Sequence, residues 1–147
     1  MMNPPSESMG PSFSALPYAI YLICLVFIII LSIELSPSAE GHGTHRQLGF
    51  PPCGFLTVTG YPCPSCGLTT SFSYLVRGHG IKSLETQPFG AFLFITLIVF
   101  GIIALVGLVK KIPVSVFMES MLFERIQVLL LVLFLLSWIY KICIMAV

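Results

Sequence analysis

PFGAFLFITLIVFGIIALVGLVKK (residues 88–111) decides the fold class. No charged side chain occurs between Phe89 and Val109, and the run stops at the pair Lys110-Lys111. An α-helix rises about 1.5 Å per residue, so about 20 such residues cross the ~30 Å hydrocarbon core of a bilayer. Two other stretches have the same character. Leu16 to Ile33 carries no charge and ends at Glu34, and a third run from about Ile126 to the C-terminus is interrupted only by Lys141. Lipid offers no partner to backbone N–H and C=O groups, so each run is expected as a helix that satisfies its own backbone. The expected spans are about 17–34, 89–109 and 125–146. The fold class is therefore an all-α integral membrane protein, with three transmembrane helices and a cysteine-containing loop (36–88) that carries short amphipathic helices. Trp138 and Tyr140 suit an interfacial aromatic belt, and Lys141 lies close enough to the chain end to snorkel to the headgroups.

Composition agrees. Of 147 residues, 56% are hydrophobic and 9% charged, with mean hydropathy +1.00, where soluble domains carry about 25% charged residues. A net charge of +1 gives no electrostatic footprint for nucleic acid, and no nucleic-acid partner is expected. The first run has no Lys or Arg before it and is longer than a signal-peptide core, so it reads as a retained anchor. Five cysteines are too few and too scattered for a disulfide scaffold. Cys24 and Cys143 fall in apolar runs and read as small core residues. Cys53, Cys63 and Cys66 share the polar loop.

Residues 1–15, rich in Pro, Ser and Gly, read as a disordered N-terminal tail, and 16–147 as a single membrane domain. The loop opens with Ser36-Pro37-Ser38-Ala39-Glu40-Gly41-His42-Gly43-Thr44-His45, flexible by composition. It then turns compact through the clusters around Pro51-Pro52 and Gly60-Tyr61-Pro62. Phe55 to Val58 reads as one short extended or helical piece. From Gly67 the period becomes helical: Leu68, Phe72, Leu75 and Val76 share a face, Gly78 suits the C-cap, and Ile81, Leu84 and Glu85 predict a further turn before Pro88. Residues 110–125 read as an interfacial helix or an early start to the third span. Lys110, Lys111 and Arg125 are denser there than Arg46, Arg77 and Lys82 are in the loop. The positive-inside rule thus puts the connector in the cytoplasm and the cysteine loop outside it.

The chemistry-bearing run is Pro62-Cys63-Pro64-Ser65-Cys66-Gly67-Leu68-Thr69-Thr70. Cys-Pro-x-Cys-Gly holds two thiols one tight turn apart, with a glycine free to adopt positive φ. Three readings stay open. Cys53, Cys63 and Cys66, with His45, His42 or His79 as a fourth ligand, are donors of the right type for zinc or a similar ion. A Cys-x-x-Cys pair at a helix N-terminus also suits thiol redox chemistry, with Cys53 as a partner thiol. The cysteines could instead form one disulfide, or stay reduced and pin the loop. No Ser-His-Asp set, phosphate-cradling glycine loop or carboxylate pair accompanies them, and no catalytic residue is assigned. Arg77 reads as a snorkelling cation or a contact for lipid phosphate, and Thr69 and Thr70 as capping or back-bonding residues of the short helix.

Cys53-Gly54-Phe55, Thr59-Gly60-Tyr61-Pro62-Cys63-Pro64-Ser65-Cys66-Gly67-Leu68-Thr69, Leu75-Val76-Arg77-Gly78 and Gln87-Pro88, in that order, resemble the bacterial membrane proteins of domain-of-unknown-function family 2752. The resemblance covers about residues 50–90. Thr70, His79 and Gln87 stand where the family pattern has Arg, Asp and Asn, which puts in doubt any role needing those charges. The resemblance implies a bacterial membrane location and this architecture, and no established activity. The expected function is a non-enzymatic accessory or scaffold unit of the inner (plasma) membrane, its knuckle stabilised by metal (zinc) or disulfide. Its expected partners are the lipid bilayer and a membrane protein or second copy. The alternative is a membrane thiol–disulfide oxidoreductase using the Cys63/Cys66 pair.

Overall fold

The structure, a computed structural model, describes residues 13–145. Helix α1 is Leu16–Glu34. A 3-10 turn (Thr44–Leu48) and three short helices follow: α2 (Gly54–Thr59), α3 (Leu68–Val76) and α4 (Gly80–Thr86). Then come α5 (Pro88–Val109), α6 (Val114–Met118) and α7 (Met121–Met145), with no strand among the described residues. Helices α1, α5 and α7 are long and apolar enough to cross a membrane. The first two begin within a residue of the expected positions. The third starts at Met121, ahead of the expected 125, because Ser120 Oγ accepts the Phe123 N–H and caps it there. The connector therefore holds both a short helix and an early start to the span. The expected tail falls largely on residues outside the described ones.

Helix α5 lies between α1 and α7 and runs antiparallel to both. Between α1 and α5 there is no water to drive association, so close packing of small residues takes its place. Gly101 admits the Leu25 side chain so closely that a Cβ there would collide with it, and a Cβ on Gly107 would lie 3.0 Å from the Tyr18 ring. Tyr18 is buried, and its hydroxyl donates to Ile112 O at 2.8 Å, while the Tyr21 hydroxyl donates to Leu97 O at 2.8 Å. On the other side, the Phe89 and Phe134 rings meet edge-on at 5.1 Å. Cys24 and Cys143 are exposed on the outer face of their helices, so the expectation that they sit in a core is corrected. In lipid an apolar side chain gains nothing by turning inward, and the inner face is taken by the small residues.

The loop builds its own core on this frame. Helix α3 packs on α1, α4 and α5. The Phe72 ring lies 4.9 Å from that of Phe94. Gly90 lets Ser71 approach α5, where the Ser71 hydroxyl meets the Ser83 hydroxyl at 2.7 Å. Helix α3 ends in a Schellman motif: Gly78, at φ +77°, donates to Leu75 O at 2.9 Å, and His79 donates to Tyr74 O at 3.0 Å. Arg77, exposed at the end of α3, reaches back to the end of α1. Its guanidinium donates to Ser32 O (3.0 Å), Ile33 O (2.6 Å) and Ser73 O (2.8 Å). The Ser32 and Ile33 carbonyls, at the end of α1, have no partner within the helix and carry the negative end of its dipole, which favours a cation there.

Gly101→Leu should lower the thermal midpoint of the detergent-solubilised protein, since overpacking costs about 1–3 kcal/mol. Ile102→Leu, on the exposed face of the same turn, should leave the midpoint unchanged. Equal melting of the two variants would show that the glycine seam does not carry the α1–α5 contact.

Candidate metal centre

Three short segments bring the loop thiols together. Cys53 sits at the N-cap of α2, beside the free backbone N–H groups of that helix's first turn. The Leu56 amide, with help from Cys63 and Phe55, holds the Cys53 thiol below its usual range. Cys63 and Cys66 flank a turn closed by the Cys66 N–H on Cys63 O at 2.9 Å, and the Ser65 hydroxyl lies 3.4 Å from the Cys63 sulfur. Gly67 then starts α3 at φ +93°. A Cβ on Gly67 would lie 2.6 Å from Gly41 O, so this position requires glycine for both its conformation and its close approach. Cys66 is buried, and burial, with the neighbouring sulfurs of Cys63 and Cys53, pushes its thiol up to about 12.

The three sulfurs lie within 4.8 Å of one another. Zinc–sulfur bonds of about 2.3 Å at tetrahedral angles place sulfurs about 3.8 Å apart. A small contraction of the loop therefore converts the cluster into a three-thiolate set. The sulfurs line a cavity of about 390 Å³ shared with His45, Thr44, Ser65, Thr69 and Thr70. Of the three candidate histidines, His45 faces this cavity, although its ring lies outside the 4.8 Å cluster. The His42 ring is turned back on its own segment, with Nδ1 2.9 Å from Glu40 O. His79 lies at the far end of α3, edge-on to Tyr74 at 6.3 Å.

Segment 36–48 is not the open stretch its composition suggests. It closes over the knuckle. Thr44 Oγ1 accepts the Ser38 N–H at 3.0 Å and meets Thr70 Oγ1 at 2.7 Å, and both threonines are buried. Thr70 thus joins two segments, where capping or back-bonding of α3 was expected.

The sequence reading missed the residues that hold the knuckle from behind. Gln87, fully buried just before α5, donates Nε2 to Pro64 O at 3.0 Å, inside the Cys63–Cys66 turn. Trp138 Nε1 donates to Pro62 O at 3.0 Å, and the Tyr140 hydroxyl to Glu85 O at 3.1 Å. Lys141 is 5% exposed and does not snorkel. Its ammonium donates to Gly41 O (3.1 Å) and Thr86 O (2.9 Å), and lies 3.3 Å from where a Gly67 Cβ would be. Two carbonyls solvate the charge in place of headgroups. The one available signal was a lone lysine near the end of an apolar run, beside Trp and Tyr, which suits a snorkelling belt equally well.

The family model described as Protein of unknown function (DUF2752) matches residues 53–101, about a third of the chain, from the first loop cysteine to the middle of α5. Over this stretch the chain matches the family that the resemblance pointed to. No curated protein and no solved structure matches the chain.

The thiol environments make a prediction for the metal-free, reduced protein. The thiolate is the reactive form, so near neutral pH the lowered Cys53 thiol should be alkylated before Cys66, whose raised thiol stays protonated. Peptide mapping after brief iodoacetamide treatment reads the order. Faster labelling of Cys66 would contradict this arrangement.

Proposed function

We propose that this protein is a non-enzymatic accessory or scaffold unit of the bacterial inner (plasma) membrane, its loop locked by a soft metal ion. Zinc or a similar cation is held by Cys53, Cys63 and Cys66, with His45 swung in as the fourth ligand. The observation that carries this reading is the cluster of three sulfurs within 4.8 Å of one another, in a turn that Gln87, Trp138 and the Thr44–Thr70 pair hold rigidly. A site built this way gains folding free energy from its metal. Leu48, Phe50, Phe55, Val58 and Tyr61 stay exposed on the same loop. They give the clamped loop an apolar contact face for a membrane protein partner or a second copy.

The competing reading, a thiol–disulfide oxidoreductase using Cys63 and Cys66, is less well supported by the thiols. The sulfur held below its usual range is Cys53, while Cys66 is buried and pushed up to about 12. An attacking cysteine needs the opposite, an accessible thiolate.

Elemental analysis of the purified protein, combined with thiol counting, tests the metal. One bound ion per chain is expected, with the three loop thiols unreactive until a chelator is added. Cys63→Ser and Cys66→Ser should then act alike and lower thermal stability by several kcal/mol, as loss of a structural clamp does. A metal-free protein with a Cys63–Cys66 disulfide would make the clamp covalent. A stable Cys66→Ser protein that traps a covalent adduct through Cys63 would establish the oxidoreductase in its place.

The charge density of the connector supports an extracytoplasmic loop. Lys82 is exposed, so a membrane-impermeant amine reagent added to intact cells should label it. Labelling only after permeabilisation would place the loop inside. In that reducing compartment a lasting disulfide is improbable, and metal becomes the better explanation of the cluster.

A further inference from the structure

The buried ammonium of Lys141 has no counter-charge of the ordinary kind. Among the described residues no carboxylate lies within ion-pair distance of it. Its contacts are the backbone carbonyls of Gly41 and Thr86. A buried charge left uncompensated costs several kcal/mol even when hydrogen-bonded. The loop thiols can become anionic, and the Lys141 ammonium lies 3.3 Å from the Cβ position of Gly67, the residue directly after Cys66. The two carbonyls that hold Lys141 flank the cluster: Gly41 O packs against Gly67, directly after Cys66, and Thr86 precedes the Gln87 that holds Pro64.

We propose that Lys141 is the built-in counter-ion of a three-thiolate site for a soft divalent cation such as Zn²⁺ or Cd²⁺. This rests on the metal reading above and deepens it by setting the charge of the ion and naming a residue that tunes the site. On binding, three thiols give their protons to water and three metal–sulfur bonds form. A divalent ion with three thiolates carries one negative charge, and the Lys141 ammonium cancels it. A neutral His45 as fourth ligand leaves this balance unchanged. A monovalent ion on the same three sulfurs would leave one negative charge uncompensated in a buried site, and a trivalent ion one positive charge. Lys141 is thus a positioning residue that acts through electrostatics from the end of α7, and it links the third span to the loop most firmly when the metal is bound.

The full chain in lipid nanodiscs, reduced and stripped of metal, is titrated with Cd²⁺ alone and with Zn²⁺ in competition with a chelator. The native chain should bind one ion, seen as a cadmium–thiolate charge-transfer band. Lys141→Gln keeps donors for the two carbonyls and removes the charge. It should bind about ten- to a hundredfold more weakly, the usual effect of losing a group behind the ligands, while Lys141→Arg should stay within a few-fold of native. In the Cys66→Ser background the remaining two thiolates already neutralise the ion, so there Lys141→Gln should cost nothing further. Equal affinity of Lys141→Gln and the native chain overturns the proposal. So does an equal loss in both backgrounds, which would mark a purely structural lysine. If the variants do not fold, the native chain decides through its single tryptophan, Trp138. Stripping the metal should shift Trp138 emission, and reloading should restore it. Indifference of Trp138 to metal overturns the proposal. A native chain that binds neither ion refutes the metal reading itself, a result distinct from all of these.

Discussion

The cross-link between Lys141 and the loop is the interaction on which the arrangement of this protein turns. An apolar helix surrounded by lipid has little reason to prefer one rotation or depth over another, because hydrocarbon solvates all its faces equally. One ammonium near the end of α7, solvated by Gly41 O and Thr86 O, removes that freedom. It fixes the third span against two loop segments about 45 residues apart in sequence, and Trp138 and Tyr140 add Pro62 O and Glu85 O to the same end. The cost of stranding this charge keeps the span and the loop together.

The molecule divides into two regimes of packing. Along the spans the contacts are steric, with Gly101 and Gly107 admitting Leu25 and Tyr18. In the loop the contacts are polar and buried. Ser71 meets Ser83, Thr44 meets Thr70, and Gln87 reaches Pro64. The largest fully buried side chains in the protein include Gln87, Thr44 and Thr70. A core of this kind holds its shape through directional bonds, each costly to break. That rigidity keeps the three sulfurs close despite their separation in sequence.

Arg77 and Lys141 use the same device at two places. Each is a cation that donates to backbone carbonyls at the loop end of the bundle, Arg77 on α1 and Lys141 on the loop beside the thiols. They differ in exposure, and that sets their roles. Arg77 is exposed, so water shares its charge and it acts as a helix cap. Lys141 is buried beside the residue that follows Cys66, and only two backbone carbonyls meet its charge.

The sequence by itself determined the three spans, since hydrocarbon thickness and the absence of charge leave no other structure for residues 88–109. It also determined the Cys63–Cys66 turn, the helix after Gly67 and its end at Gly78, because these rest on neighbours along the chain. Only the tertiary structure decided what depends on residues far apart. That α2 brings Cys53 to the knuckle, that Thr70 pairs with Thr44 across the loop and that Arg77 caps α1 all follow from how the loop folds back on itself. Lys141 shows the difference most plainly. In sequence it is a lysine near the end of an apolar helix, free to reach headgroups. In the fold the carbonyls of Gly41 and Thr86 reach it first, and the hydrogen bonds of a closed loop replace those of the membrane surface.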